Sequence, residues 1–169
     1  MSGVFPLRVW TIVPAAALCA ALLGFAAPAA PAQDFAVPRW VSLRADEVNV
    51  RVGPGTDYPV RWVYVRAGLP VEVTADFHNW RRIRDIDGEE GWVHRSLLSG
   101  ARTVIVTGGV RTLRRTPDAY AAPVLRAESG VIADLLECDG AWCRLEIDGE
   151  RGWLPRIQVW GVYADETLE

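Results

Sequence analysis

The feature that most constrains this chain is a segment written twice. Asp87-Gly88-Glu89-Glu90-Gly91-Trp92-Val93 returns 61 positions later as Asp148-Gly149-Glu150-Arg151-Gly152-Trp153-Leu154. Upstream the echo continues. Trp80 matches Trp142, Gly68 matches Gly130, and Val71 and Val73 match Ala133 and Leu135, all at an offset of 62. Asn49-Val50-Arg51 matches Thr112-Leu113-Arg114 at 63. A drift of one residue at a time is what small length changes in surface loops produce. Self-similarity at a fixed period means one structural unit used twice, so a single large core is excluded. A domain of about 60 residues buries only ~60% of the surface its unfolded chain exposes, and two such units gain by packing together.

Each copy reads as short strands. Val48-Asn49-Val50-Arg51-Val52 alternates apolar and polar, the pattern of a half-buried strand. The turn-rich Gly53-Pro54-Gly55-Thr56-Asp57-Tyr58-Pro59 follows. The runs Trp62–Val65, Val71–Thr74 and Trp80–Arg84 are β-branched or aromatic, and Asp87-Gly88 turns the last of them toward Gly91-Trp92-Val93. No window holds a 3.6-residue period over three turns. The expected class is all-β, two tandem small β-barrels. The expected layout is a signal peptide over 1–32 and an N-terminal extension over 33–44. A first barrel over 45–99 follows, then a connector over 100–109 whose Val104-Ile105-Val106 run itself reads as a strand. A second barrel over 110–161 and a tail over 162–169 complete it.

The N-terminus reads as an export signal. Arg8 is the last charge before Asp34, an Ala- and Leu-rich stretch lies between them, and Ala30-Pro31-Ala32 has the small-x-small form of a cleavage site. Cleavage after Ala32 removes one Arg and no acid, which moves the net charge from −3 to −4. The rival reading is an uncleaved anchor, since the uncharged run is long enough to span a bilayer. Cys19 follows Leu18, where a lipid-attachment motif needs a small residue. The expected location is therefore exported, periplasmic or envelope-associated, with no membrane contact once the signal is cleaved. An acidic chain with an isoelectric point near 5.5 and no basic cluster is not an electrostatic nucleic-acid binder.

Beyond the signal two cysteines remain, Cys138 and Cys143, in Cys-Asp-Gly-Ala-Trp-Cys. An exported chain meets an oxidising compartment, and Asp139-Gly140 is a turn dipeptide able to bring two antiparallel strands together. Closing so short a loop stabilises a fold by about 2 kcal/mol on the chain-entropy model. The alternatives are two buried thiols or a reactive site. The missing Cys-x-x-Cys spacing and the absence of a nearby His argue against metal or redox chemistry.

At these residues the chain resembles a known family. Val-Asn-Val-Arg-x-Gly-Pro-Gly-x-x-Tyr at 48–58, the Trp opening the middle strand at Trp80, and Asp-Gly-x-x-Gly-Trp-Val at 87–93 are similar to the bacterial SH3 domain. The second copy is looser. Arg115-Thr116-Pro117-Asp118 replaces the Gly-Pro-Gly loop, and Tyr120 stands in for Tyr58. Its Gly152-Trp153-Leu154-Pro155 is similar to the segment that peptide-binding eukaryotic relatives carry. The resemblance implies five short strands in two packed sheets, an envelope association, and a groove for extended peptides between the Tyr58 loop and the loop before Trp80. Fold alone does not imply a ligand.

The sequence holds no metallopeptidase His pair, no nucleophile elbow, no phosphate loop and no metal-ligand cluster. Asp85, Asp87, Glu89 and Glu90 surround an Asp-Gly turn and read as solvated turn residues rather than a catalytic carboxylate pair. No cofactor is expected, and the chain reads as a non-enzyme. A hydrolase using a free Cys is the minor alternative. Binding rests on the aromatics. Trp62 and Trp160 sit among apolar strand residues and read as packing. The candidate groove is Tyr58, Trp80, Trp92 and His94 in the first unit and Tyr120, Trp142, Trp153 and Pro155 in the second, because aromatic walls bury large area and leave a polar edge. Arg81 is the candidate contact for a ligand carboxylate. Its bland reading, with Arg82 and Arg84, is a sheet surface with cross-strand acid partners. The expected function is recognition of peptidoglycan stem peptides or another extended envelope peptide. The alternative is a structural adaptor that docks on an envelope protein without touching the wall.

Overall fold

A computed structural model describes residues 36–168, so the expected export signal lies outside the described residues. The first copy contributes β1 (Arg39–Leu43), β2 (Val48–Arg51), β3 (Val60–Tyr64), β4 (Pro70–Phe77), β5 (Trp80–Arg84), β6 (Glu90–His94) and β7 (Leu98–Ser99). They form one seven-stranded sheet in the order β3-β2-β6-β5-β4-β1-β7, with antiparallel pairing throughout. The second copy repeats it. Here β8 (Thr103–Val106), β9 (Arg111–Arg114), β10 (Pro123–Ala127), β11 (Ile132–Asp139), β12 (Trp142–Ile147), β13 (Glu150–Pro155) and β14 (Val159–Trp160) are ordered β10-β9-β13-β12-β11-β8-β14. One 3-10 turn precedes the last strand of each, Arg95–Leu97 and Arg156–Gln158. The all-β class with two tandem SH3-like units is what the structure shows. No described helix is long and apolar enough to cross a membrane.

The repeated Gly-Trp pair has a steric cause. Where β6 crosses β2, a Cβ on Gly91 would overlap the Val50 side chain and press on the Arg51 carbonyl. Where β13 crosses β9, a Cβ on Gly152 would meet Leu113 and the Arg114 backbone. Only Gly lets the two strands approach so closely. The following Trp then points outward, paired across the ladder with Arg51 in one unit and Arg114 in the other. Inward lie the cores. Val48, Val50, Val71, Val73, Ile83 and Val93 fill the first, while Val104, Leu113, Leu135, Leu145 and Leu154 fill the second together with Cys138 and Cys143. Trp62 packs against the first core.

The two cysteines face each other across the β11–β12 hairpin and form a disulfide with a Cα–Cα distance of 4.1 Å. The turn falls on Gly140-Ala141, one position later than Asp139-Gly140. Both cysteines are fully buried, so the bridge is part of the core. The Asp-Gly motif closes its two hairpins differently. Asp148-Gly149 is a two-residue turn with both φ values positive. In the first unit a five-residue loop, 85–89, takes its place. There the Asp85 carboxylate accepts from the amides of Asp87 (3.0 Å) and Glu89 (2.9 Å) and from the Tyr64 hydroxyl (2.6 Å). Burial, reinforced by Asp85, pushes that hydroxyl above its usual range.

Two segments expected to flank the barrels pair into their sheets, one of them the connector strand that the Val104-Ile105-Val106 run already implied. Residues 33–44 read as an extension, yet Arg39–Leu43 pairs with β4 and β7. The alternation was masked because β1 is covered on both faces: Leu43 enters the core, while Ser42 faces the second unit. Within the expected connector, Thr103–Val106 is the fully buried β8. Between the two strands the Ser42 and Thr103 hydroxyls lie 2.7 Å apart, and Thr103 donates to the Gly68 carbonyl at 2.7 Å. Trp40 meets Trp160 edge to face at 4.6 Å.

Residues 162–168, expected as a tail, strap the two units together. Leu168 exchanges backbone hydrogen bonds with Cys138 (2.9 and 3.2 Å). Tyr163 donates its hydroxyl to Glu72 of β4 at 2.9 Å, while Arg84 holds the other oxygen of that carboxylate. Glu166 is clamped by Arg102. Burial by itself would raise the Glu166 carboxyl, but the Arg102 bonds, the Tyr163 amide and the charges of Arg102 and Arg156 outweigh it and hold it below its ordinary value.

Gly91→Ala and Gly152→Ala are each expected to lower unfolding free energy by about 1–3 kcal/mol, the usual cost of overpacking, measured by urea denaturation. The Glu166 carboxyl is depressed on folding, so its stabilisation is complete above the ordinary carboxylate range and is lost as pH falls through the folded value. Protection factors of the amides at residues 163–168, taken against the intrinsic exchange rate at each pH, are therefore expected to fall on acidification, and Glu166→Gln to remove that pH step.

Candidate functional site

Strand pairing decides which side chains share a surface. On β5 and β6 the outward pairs are Trp80 with His94, Arg82 with Trp92 and Arg84 with Glu90. The Trp80 and His94 rings sit edge to face at 5.5 Å. Nδ1 of His94 lies 2.7 Å from the Ser96 hydroxyl and accepts from the Ser96 amide, which caps the 3-10 turn and fixes the ring. Phe77, at the end of β4, adds a further ring, 6.4 Å from Trp92 and 4.6 Å from His78. Trp80, Trp92 and His94 thus share one outer sheet surface, and Phe77 joins them.

Beside Trp92 is a hollow of about 290 Å³ lined by Val52, Arg61, Arg82, Glu90, Gly91 and Trp92. It is strongly polar. Arg82 pairs with Glu90, and Arg61 bonds the Glu89 carboxylate (3.2 Å) and the Glu90 carbonyl (3.3 Å) while lying over Trp62. Tyr58 and Trp80 are not among the residues lining this hollow. The Tyr58 ring packs on Gly53 and Gly55, where any Cβ at Gly53 would overlap it, and remains 47% exposed.

Arg81 is engaged within the protein. Alternation turns it away from Arg82, and its cross-strand partner is Asp76. Its Nε lies 3.0 Å from that carboxylate, and Nη1 donates to the carbonyls of His78 and Trp80 at 2.9 and 3.0 Å. Asp76 is shared with Arg39, which bonds both its oxygens at 3.1 Å. Its neighbours Arg82 and Arg84 likewise meet Glu90 and Glu72 across the sheet, so this arginine run has the cross-strand acid partners of its bland reading.

In the second unit the outward pairs are Trp142 with Pro155 and Arg144 with Trp153. Trp142 and Pro155 line a cavity of about 560 Å³ with Gly140, Ala141, Arg156, Ile157, Val159, Val162 and Ala164. Trp153 stands apart from it, beside Arg114. Tyr120 does not reproduce Tyr58. It is 96% exposed, because Arg115-Thr116-Pro117 replaces the glycines on which the Tyr58 ring is seated.

One pair of positioning residues escaped the sequence reading. Arg51 reaches from β2 to the carbonyls of Thr56 (3.1 Å) and Tyr58 (2.6 Å), and Arg114 reaches from β9 to that of Ala121 (2.7 Å). Each arginine anchors the loop after its strand and pairs on its other side with the outward Trp. The signal was present, since both end the repeated triplet at offset 63. Arg156 repeats Arg95 at offset 61, whereas Phe77 and Ile157 carried no such mark. Among the described residues no cluster of three or more His, Cys, Asp or Glu is placed to hold a metal ion.

The chain is 24% identical over 128 residues to a putative N-acetylmuramoyl-L-alanine amidase, YrvJ, of Bacillus subtilis (strain 168). That match covers 69% of this chain and 24% of the relative, so the chain spans about a quarter of that protein. Among solved structures, NlpC2 from Trichomonas vaginalis aligns over 75% of this chain and 49% of its own, at 10% identity and a TM-score of 0.34. An NlpC/P60 family protein from Bacillus cereus aligns over 72% and 55%, at 12% identity and 0.33. These last likenesses are too loose to carry an argument. The family match is direct, because the bacterial SH3 domain profile covers residues 44–100 and again 110–161. The chain belongs to the bacterial SH3 domain family and carries two copies of that domain.

Proposed function

We propose that this protein is an exported, non-catalytic module that binds cell-wall peptides, peptidoglycan stems or another extended envelope peptide, through the outward aromatic surfaces of its two units. The observation that carries this reading is the placement of Trp92 and of Trp142 with Pro155. Each stands half-buried at the edge of a hollow, on a sheet face opposite the core. Half-buried Trp offers a ligand a large rigid surface at little entropic cost. The relative named as an amidase of N-acetylmuramoyl-L-alanine supports wall material as the ligand class, through the quarter of its length that this chain matches. The disulfide supports a binding role over a cysteine hydrolase, since neither Cys138 nor Cys143 is then a thiolate.

A second reading is favoured by one observation. Val60 and Val63 are exposed along β3, the edge strand of the first sheet, and Val65 is exposed just past its end. An apolar edge is a surface on which a protein partner docks, the arrangement an adaptor needs.

Co-sedimentation with purified peptidoglycan sacculi separates the two. The protein is expected to pellet. Trp80→Ala/Trp92→Ala and Trp142→Ala, each with an unchanged thermal melt, are expected to weaken binding at least about tenfold, as loss of an aromatic anchor does. Retention of full binding in both variants would overturn the aromatic assignment. A wild-type protein that stays in the supernatant would overturn wall binding and leave the adaptor.

A further inference from the structure

The cavity of the second unit contains a charged group that its packing does not explain. Arg156 opens the 3-10 turn after β13 and is only 8% exposed. Its Nη1 donates to the carbonyls of Tyr163 (2.7 Å) and Ala164 (2.8 Å), and its buried Nε has no hydrogen-bond partner. Among the described residues Arg156 has no ion-pair partner. The acid whose carboxyl feels its charge, Glu166, is hydrogen-bonded to Arg102 instead. In the first unit Arg95 holds the same place in the repeat and stands exposed. The difference is the strap, whose carbonyls draw Arg156 inward and whose Val162 and Ala164 wall the cavity. A buried donor without an acceptor is costly, the more so on a charged group, and a guanidinium fork is matched best by a carboxylate.

The rest of the lining is apolar: Trp142, Pro155, Val159 and Val162, with Ile157 90% exposed. At about 560 Å³ the cavity is of the size that holds a few small residues. We propose that it binds the carboxyl end of a short peptide whose last side chains are small and apolar. The methyl groups lie against Trp142, Pro155 and Val162, and the carboxylate meets the Arg156 guanidinium. The site is confined to the second unit, because the first has no strap over Arg95. This rests on the wall-peptide reading above and narrows it from an extended segment to a chain end.

The test is titration of the purified protein with N-acetyl-alanyl-alanine, in both chiral forms, against the same dipeptide as its C-terminal amide. The Trp142 indole N–H and the amides of residues 156–158 are followed by NMR. The free acid is expected to shift these signals and the amide to bind at least tenfold more weakly. Arg156→Gln is expected to erase the preference for the acid. Because that change can loosen the strap, Ala141→Trp provides a second variant. It fills the cavity from the hairpin turn and leaves the guanidinium in place, and it is expected to abolish binding with the fold intact. Equal binding of acid and amide would overturn the carboxylate assignment. Absence of any shift with either dipeptide, in a protein that still pellets with sacculi, would overturn the site and leave the wall reading standing. Dipeptide binding by a protein that ignores sacculi would keep the site and remove the wall.

Discussion

The close crossing of two strands at a glycine is the constraint on which each unit depends. β6 can pass β2 only because Gly91 has no side chain, and β13 can pass β9 only because Gly152 has none. With the crossing in place, Val50 and Val93 meet in the core on one side. On the other, Trp92 is thrown outward beside Arg51. The same step that closes the core therefore presents an aromatic ring to solvent. The arginine at the end of the crossed strand then turns away from the Trp to hold the carbonyls of the neighbouring loop. Core, outer surface and loop follow from one contact, used twice.

Above the level of the repeat the units differ in what covers them. β1 and β8 are sheltered on both faces because each lies against the other unit, with hydroxyls, a tryptophan pair and a buried glutamate at the contact. Ion pairs with exposed partners add little to stability. The Glu72 carboxylate is nearly excluded from water and accepts from Arg84 and from Tyr163 of the strap. Breaking it would leave a buried charge without its acceptor bonds. The strap is thus tied to both units, through Tyr163 to the first and through Leu168, Arg102 and Arg156 to the second. It also turns a shallow sheet surface into a cavity in the second unit only.

Most of the barrel was legible in the chain. The alternating run at 48–52, the β-branched run at 71–74, the Asp-Gly turns and the Gly-Trp pairs located strands and hairpins, because local periodicity and turn chemistry act over a few residues. β1 was less legible, since a strand buried on both faces loses its alternation. The site was legible only in part. Trp92 and Trp142 were marked by the repeat and Pro155 by its likeness to the segment of peptide-binding relatives, and the structure sets the three at two hollows. Tyr120 was read across from Tyr58, but a ring needs a seat, and the glycines that form one are absent from its loop. Arg81 was read both as a candidate carboxylate contact and as part of a sheet surface with cross-strand acid partners, and the cross-strand register places Asp76 against it.

The amino-acid sequence alone determined the all-β class, the duplication, the cysteine pair and the identity of the outward tryptophans, since each is written in spacing or residue type over short range. Tertiary structure decided which arginines are engaged within the protein, that Arg156 is buried while Arg95 is not, and that residues 162–168 build a wall of a cavity. Those outcomes depend on carbonyls and carboxylates brought together from distant parts of the chain. Spacing along a sequence carries no record of such encounters until the strands have paired.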